Sequence, residues 1–260
     1  MREEREWALL VDEARPGWEN MAIDSALLEL AAGEGARFLR LYRWEPHCLS
    51  FGRHEPATKR YDREQIVARG LDCVRRPTGG RAVWHAHELT YSVVAPLAAF
   101  GGLREAYQHI HLILAAALRS LGAVPALAPT AETRSLAPGS GPCFSAPAGG
   151  ELLLDDLKVV GSAQLRQGEA FLQHGSLLLE GDQAVLRDLA GLPAQQRTST
   201  SLSAVLERPV GFGEAAAALA GAAASFLGPM VELATLPTGI AAAVTGHAER
   251  FRDPAWTWER

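Results

Sequence analysis

One long amphipathic helix stands between two blocks of short, β-rich runs, and this alternation limits what the chain can fold into. Apolar residues recur at Leu103, Tyr107, Ile110, Leu114, Ala117 and Leu121, steps of three and four that put them on one helical face, and Gly122 stops the run. Before it come strand-like segments at Trp7–Val11, Arg37–Trp44, Leu71–Arg76, Arg81–His85 and Leu89–Ala95; after it come Glu151–Leu154, Leu157–Val160 and Phe171–Leu179. Asp155-Asp156 reads as a hairpin turn between two of them, and a further strand is expected near Met230–Leu233. Asn20 is expected to cap a helix bearing Ile23, Leu27 and Leu30 that Gly33 closes, and Asp62 with Gln65 has capping-box spacing ahead of Gly70. Strands on both sides of one helix, several as hairpins, predict an α+β fold: a mixed or antiparallel sheet sandwiched with helices, not a doubly wound parallel sheet. No repeat or linker divides the chain, so residues 1–260 are expected to form a single domain.

The bulk numbers exclude several classes. At 48% hydrophobic and 21% charged, the chain has the composition of a globular protein. Its charged start is no signal peptide and no apolar run is long enough to span a bilayer, so a cytoplasmic protein with no membrane partner is expected. A net charge of −5 gives no support to nucleic-acid binding. The charge is unevenly spread: residues 37–81 hold 11 Lys/Arg against 5 Asp/Glu. This segment is either a solvated arginine-rich face or a docking surface for an acidic protein or a phosphate-bearing group. Three cysteines, Cys48, Cys73 and Cys143, form an odd set without Cys-x-x-Cys spacing, which argues against disulfides and against a metal site.

Three constellations could hold chemistry. Arg75-Arg76-Pro77-Thr78-Gly79-Gly80-Arg81 runs on to His85; its glycines allow close backbone approach to a ligand and its arginines could hold an anion, although a plain β-hairpin with a Gly-Gly turn explains the same residues. Lys158 is one of only two lysines among 25 basic residues. A compact ammonium there could polarise a carbonyl oxygen; the ordinary alternative is a lysine snorkelling from a strand edge. Cys143 follows a Pro/Gly-rich loop over Pro125–Pro142, where a thiolate nucleophile suits thioesters, whereas Cys48 and Cys73 sit in strand-like runs as buried hydrophobes. His85 and His174 are rival bases, and His109 and His111, two apart on the long helix, are given no role.

Taken in order, these segments resemble the biotin/lipoate ligase and octanoyltransferase superfamily. The marks are Asn20-Met21-Ala22-Ile23-Asp24, Arg40 to Trp44, Leu49-Ser50-Phe51-Gly52, Arg75 to Val83, Glu88 to Ser92, Lys158 to Gln164 and Gln173-His174-Gly175-Ser176. Three features are similar to the Cys-type octanoyltransferases and unlike the ATP-dependent ligases. Arg81 stands where ligases have a third glycine, Gly150 to Leu154 lacks their Asn-Asp pair, and Cys143-Phe144 lies fifteen residues before Lys158.

The resemblance implies transfer of octanoyl from acyl-carrier protein to the lysine of a lipoyl-domain protein, such as the glycine-cleavage H protein or a 2-oxoacid dehydrogenase subunit. It implies no cofactor beyond the carrier's phosphopantetheine thioester. It implies Cys143 and Lys158 as catalytic residues, and Arg75, Arg76, Gly79, Gly80, Arg81, His85, Gly161, Ser162, Ala163 and His174 as substrate-binding ones. An amidotransferase moving octanoyl from H protein to a dehydrogenase subunit resembles it too; an ATP-dependent lipoate ligase and a non-catalytic acyl-binding module are further alternatives.

Overall fold

A computed structural model describes residues 6–128, 150–193, 197–237 and 239–259. Its frame is a six-stranded mixed sheet built from β1 (Trp7–Arg15), β2 (Arg37–Trp44), β6 (Glu88–Pro96), β10 (Val160–Gln167), β11 (Ala170–Leu178) and β12 (Met230–Glu232). The spatial order is β10-β11-β6-β2-β1-β12. β1 pairs in parallel with β2 and β12, and the other neighbours are antiparallel. A second sheet has β3 (Cys48–Phe51) between β4 (Asp72–Arg75) and β5 (Val83–His85). A third joins β7 (Ala126–Leu127), β8 (Leu152–Leu154) and β9 (Leu157–Lys158).

The helices cover both faces of the large sheet. On one lie α4 (Leu103–Ser120) and α7 (Phe212–Leu227), and the principal core fills the space between with Leu41, Leu89, Tyr91, Val93, Ile110, Leu114 and Leu219. On the other lie α1 (Gly17–Glu34) and α8 (Ile240–Arg252), with Ile23, Leu27, Phe38, Val94 and Leu172 packed together. Short helices α2 (Ala57–Arg60), α3 (Arg63–Ala68), α5 (Ala184–Leu189), α6 (Leu202–Val205) and α9 (Pro254–Trp258) complete the chain. The α+β architecture expected from the strand–helix–strand pattern is thus the one observed. Among the described residues no helix is long and apolar enough to cross a membrane.

Local expectations divide. Asp62 caps α3, its carboxylate accepting from Gln65 N–H at 3.0 Å while Gln65 Nε2 donates back at 2.9 Å. Asp155 and Asp156 both take positive φ, as a tight hairpin turn demands. The ends of α1 need correction. It starts at Gly17 and closes at Gly35, whose N–H donates to Ala31 O at 3.1 Å. Asn20 is no cap: it is buried, and its amide ties Arg15 O and Arg43 O together.

The Gly79-Gly80 segment also needs correction. It is not a hairpin turn, because β3 lies between the strands it joins. The loop crosses over β3 and packs on Gly52, where any side chain would start 1.8 Å from Gly80 O. The basic segment is likewise no continuous face, since Arg40, Arg75 and Arg76 are buried inside the fold.

Candidate active site

An apolar cavity lies between the large sheet and the β3–β5 sheet. Its lining includes Met21, Tyr42, Trp44, Arg76, Val83, His85, Thr90, Gly161, Ser162, Ala163, His174, Gly175 and Ser176. Strand register shows its course: Gly161 faces Ser176, Ser176 faces Thr90, and Thr90 faces Tyr42, so the cavity runs across four strands from the edge strand β10 to β2.

Its polar lining residues turn their polar atoms into the protein. The Arg76 guanidinium donates to Ser50 O, Ser50 Oγ, Gly79 O and Arg81 O. His85 Nδ1–H donates to Glu88 Oε1 at 3.0 Å, leaving Nε2 to accept from the Ser50 hydroxyl. His174 Nδ1–H donates to Asp24 Oδ2 at 3.1 Å, and its Nε2 accepts from Thr78 at 2.6 Å. Thr90 donates to Glu88 and accepts from Trp44 Nε1. Ser176 Oγ is the exception, buried with no partner among the described residues. What remains on the cavity surface is carbon, which suits an alkyl chain.

Carboxylate–imidazole–hydroxyl arrays invite comparison with hydrolytic triads. Here Ser50 and Thr78 are fully buried and neither lines the cavity. Both arrays lock an imidazole in one tautomer with its ring against the cavity. Burial pushes the His85 pKa down, against the pull of Glu88. Burial pushes Asp24 up, but the His174 hydrogen bond and the Arg40 charge outweigh it and hold the carboxyl below its usual range. Arg40 anchors this side, donating to Asp12, Asp24 and Asn20.

A different cluster sits at the β10 end. Lys158 is 2% exposed, so it does not snorkel; its Nζ is 2.6 Å from Glu151 Oε1. Lys158 N–H donates to Thr198 O and Lys158 O accepts from Thr200 N–H, which pins the backbone on both sides. Close by, a hydrogen-bond chain has one consistent direction. Gln173 Nε2 donates to Tyr91 Oη at 3.1 Å, and Tyr91 Oη is 2.7 Å from Ser162 Oγ. Ser162 Oγ is 3.3 Å from His111 Nε2, and His111 Nδ1 is 2.8 Å from Tyr107 O. A carbonyl only accepts, so Nδ1 holds the proton and Nε2 must accept. Burial drives the His111 pKa down to about 4, and the Lys158 charge adds to the effect. Burial lifts the Tyr91 hydroxyl to about 12 against its hydrogen bonds, with Glu151 adding to the rise.

Of the residues expected to bind substrate, Arg76, His85, Gly161, Ser162, Ala163 and His174 line this one cavity. Gly79, Gly80 and Arg81 stand behind it, the first and last as carbonyl acceptors for Arg76. Arg75 lies elsewhere: its buried guanidinium donates to the carbonyls of Gly52, Glu55, Trp256 and Thr257, tying the C-terminal helix to the β3–β4 layer. Lys158 is not in the lining but adjoins it through His111 and Ser162. Cys143 falls in residues 129–149, outside the described residues. Sequence reasoning missed Glu151, His111, Tyr91 and Gln173. Tyr91 and Gln173 stood inside the quoted motifs, whereas Glu151 and His111 gave no local signal.

The site thus combines an apolar cavity with a buried lysine–carboxylate pair near its β10 end. The comparisons specify it further. The family described as the lipoyl protein ligase A/B catalytic domain matches residues 16–224, and the chain belongs to that family. It is 35% identical to the octanoyltransferase LipM of Exiguobacterium sp., over 98% of each chain. It is 39% identical to that of Symbiobacterium thermophilum, over 86% of this chain and 88% of the relative. In fold it is similar to a lipoate-protein ligase A crystallised with ATP, with a TM-score of 0.81, 19% identity and coverage of 98% of this chain and 99% of the other. It is also similar to a bi-partite lipoate protein ligase from Thermoplasma acidophilum, with a TM-score of 0.72, 18% identity and coverage of 98% and 97%.

Proposed function

We propose that this chain is a cytoplasmic octanoyltransferase of lipoate biosynthesis that moves octanoyl from acyl-carrier protein to the lysine of a lipoyl domain. The observation that supports it most is the apolar cavity crossing the sheet and meeting the Lys158 cluster at the edge strand. A saturated chain gains by leaving water for such a surface, and the reacting carbonyl at its end comes to rest beside a buried cation.

Cys143 is the nucleophile. It precedes Gly150 by seven residues, a distance of at most about 25 Å for extended chain. Gly150 N–H donates to Ala128 O and Ala128 N–H to Glu151 O, so both ends of that segment are tied beside the partner of Lys158. The Cys143 thiolate attacks the carrier thioester, the pantetheine thiolate leaves and takes up a proton, and octanoyl stays on Cys143. The acceptor amine then attacks this thioester, loses a proton, and frees the Cys143 thiol. Lys158 supports the thiolate and the oxyanion of each tetrahedral intermediate. Thioester exchange is close to isoenergetic and amide formation is downhill, so the reaction calls for neither ATP nor a metal.

Intact-mass measurement tests this. Octanoyl-acyl-carrier protein without ATP should add one octanoyl group that hydroxylamine removes and that a lipoyl domain discharges. Cys143→Ala should add none. An adduct on Cys143→Ala, or lipoylation of the acceptor by free lipoate only when ATP is supplied, would sink the proposal.

A further inference from the structure

Four buried side-chain atoms among the described residues have no hydrogen-bond partner: Arg37 Nε, Glu88 Oε2, Ser92 Oγ and Ser176 Oγ. Of these residues only Ser176 lines the apolar cavity. It is 2% exposed. A hydroxyl taken out of water without a partner destabilises a fold, and this one sits where a bound chain would supply the partner.

Strand alternation fixes the side on which the hydroxyl lies. Leu177 packs into the core beneath α4, so Ser176 and Leu178 face the opposite side of the sheet, where Leu178 meets Val83 of the cavity lining. The groups around Ser176 on that side are engaged. Thr90, opposite it on β6, donates to Glu88 and accepts from Trp44 Nε1. His174, two residues back along β11, is partnered at both ring nitrogens. Gly161, opposite it on β10, has no side chain to offer. Ser176 thus keeps its hydrogen for whatever enters the cavity.

Its place along the cavity selects the part of the ligand that it meets. β11 is the first strand in from the β10 edge, and Leu178 N–H donates to Val159 O at 3.1 Å. That bond ties the residue two beyond Ser176 to the residue next to Lys158. The hydroxyl therefore belongs to the Lys158 end of the cavity and not to the β2 end. An alkyl chain carries no acceptor, whereas the carbonyl oxygen of an acyl thioester is a good one.

The geometry points to Ser176 as a catalytic hydrogen-bond donor to the acyl carbonyl, complementing Lys158. This rests on the octanoyltransferase reading. As the Cys143 thiolate adds to the carbonyl carbon, the C=O π pair moves onto oxygen, and the Ser176 O–H meets that charge. When the intermediate collapses the pair returns, the pantetheine thiolate leaves, and Ser176 keeps its proton throughout.

Ser176→Ala tests this, with Ser92→Ala as the control. Ser92 is as buried and as partnerless, on β6 opposite His174, but stands outside the cavity lining. Removing an unsatisfied buried hydroxyl should leave the melting temperature of Ser176→Ala unchanged or raised. Acyl-enzyme formation from octanoyl-carrier protein should nevertheless slow by about 10²-fold, while Ser92→Ala keeps the native rate. With a heavy-carbon label at the acyl carbonyl, the infrared carbonyl stretch of the acyl-enzyme should move to higher frequency in Ser176→Ala, a change that a purely structural side chain would not cause. Calorimetric binding of octanamide, which has the carbonyl but does not react, should weaken about three- to tenfold in Ser176→Ala. Native rate, carbonyl frequency and octanamide affinity in Ser176→Ala overturn the proposal, and so does an equal loss of rate in Ser92→Ala. Weakened octanamide binding in Ser176→Ala with no acyl adduct on wild type overturns the octanoyltransferase reading and leaves the carbonyl contact standing.

Discussion

The walls of the tunnel and its Lys158 end both bury polar side chains, but to opposite purposes. In the walls, Glu88–His85–Ser50 and Asp24–His174–Thr78 satisfy one another completely at the imidazoles and face the cavity with carbon. At the β10 end, Lys158, Glu151, His111, Tyr91 and Ser162 gather around the place where the cavity stops, and the Ser162 segment belongs to both. Imidazoles partnered at both nitrogens fix a shape; an ion pair and a hydroxyl chain gathered at a cavity's end can answer a new charge. On the proposed function, the walls hold the acyl chain by shape and the Lys158 end serves the reaction by electrostatics.

Substitution at Lys158 should break this division most. Lys158→Met is expected to lower acyl transfer by about 10²–10³, the usual loss of one oxyanion donor. It also removes the ammonium 2.6 Å from Glu151, which is 4% exposed, and a buried pair broken on one side costs about 3–5 kcal/mol of stability. The double variant Lys158→Met/Glu151→Leu should regain most of the stability in urea denaturation and none of the transfer rate. If the double variant transfers octanoyl at close to the native rate, the ammonium is structural and the contrast between wall and end disappears.

The titration of His111 gives a second, smaller lever. Its folded pKa is depressed from 6.5 to about 4, so the unfolded chain binds the proton more readily. The stabilisation from keeping it neutral is full above pH 6.5 and is lost as pH falls from there to about 4. At about 1.4 kcal/mol per unit the loss is on the order of 3 kcal/mol. His85, also depressed by burial, adds in the same direction. Stability measured from pH 7 to 4 should fall less steeply in His111→Gln than in wild type. An unchanged slope would mean that His111 takes up its proton as readily in the folded protein as in the unfolded chain, and that its burial beside Lys158 does not hold it neutral.

The sequence made the cavity walls more legible than the Lys158 end, for a physical reason. Strand alternation and the three-and-four spacing of α4 report which side of an element is buried, so the sheet and its helical cover follow from pattern. Gly161, Ser162, Ala163 and His174 are expected at the site through the family resemblance alone, and the fold brings them there on two adjacent antiparallel strands, with Ala163 opposite His174. His111 could not. Its place on α4 next to Tyr107 and Leu114 reads as helix core, and only tertiary packing brings its Nε2 to Ser162. Glu151 is an acid at a strand start until β9 folds back and delivers Lys158 to it. Arg75 misled in the opposite way: an arginine beside a glycine pair suggests an anion site, yet its donors are directed at backbone carbonyls. Placing Gly79-Gly80 in a hairpin failed because a parallel β3–β4 pair leaves no local trace, and the intervening strand comes from earlier in the chain.

Gly175 marks the seam between the two regions and gives the smallest, most local test. It lines the tunnel, yet a methyl built on it would stand 2.6 Å from Gly161 O, 2.7 Å from Tyr91 Cε1 and 2.8 Å from Tyr91 Oη. Real side chains do not tolerate such approaches, so Gly175→Ala must push either the edge strand β10 or the Tyr91 ring. Overpacking of this kind costs about 1–3 kcal/mol, expected as a lower melting temperature. The partner that yields can be identified. If the ring moves, Tyr91 leaves Ser162, and adding Tyr91→Phe should recover part of the stability without restoring the transfer lost with the hydroxyl. If β10 moves, Tyr91→Phe recovers nothing, because the Gly161 carbonyl is still in the way, and the mouth of the tunnel shifts relative to Lys158. Native stability and native transfer in Gly175→Ala would show that β10 and Tyr91 are not held against each other, and with that the shared boundary between shape and charge would be lost.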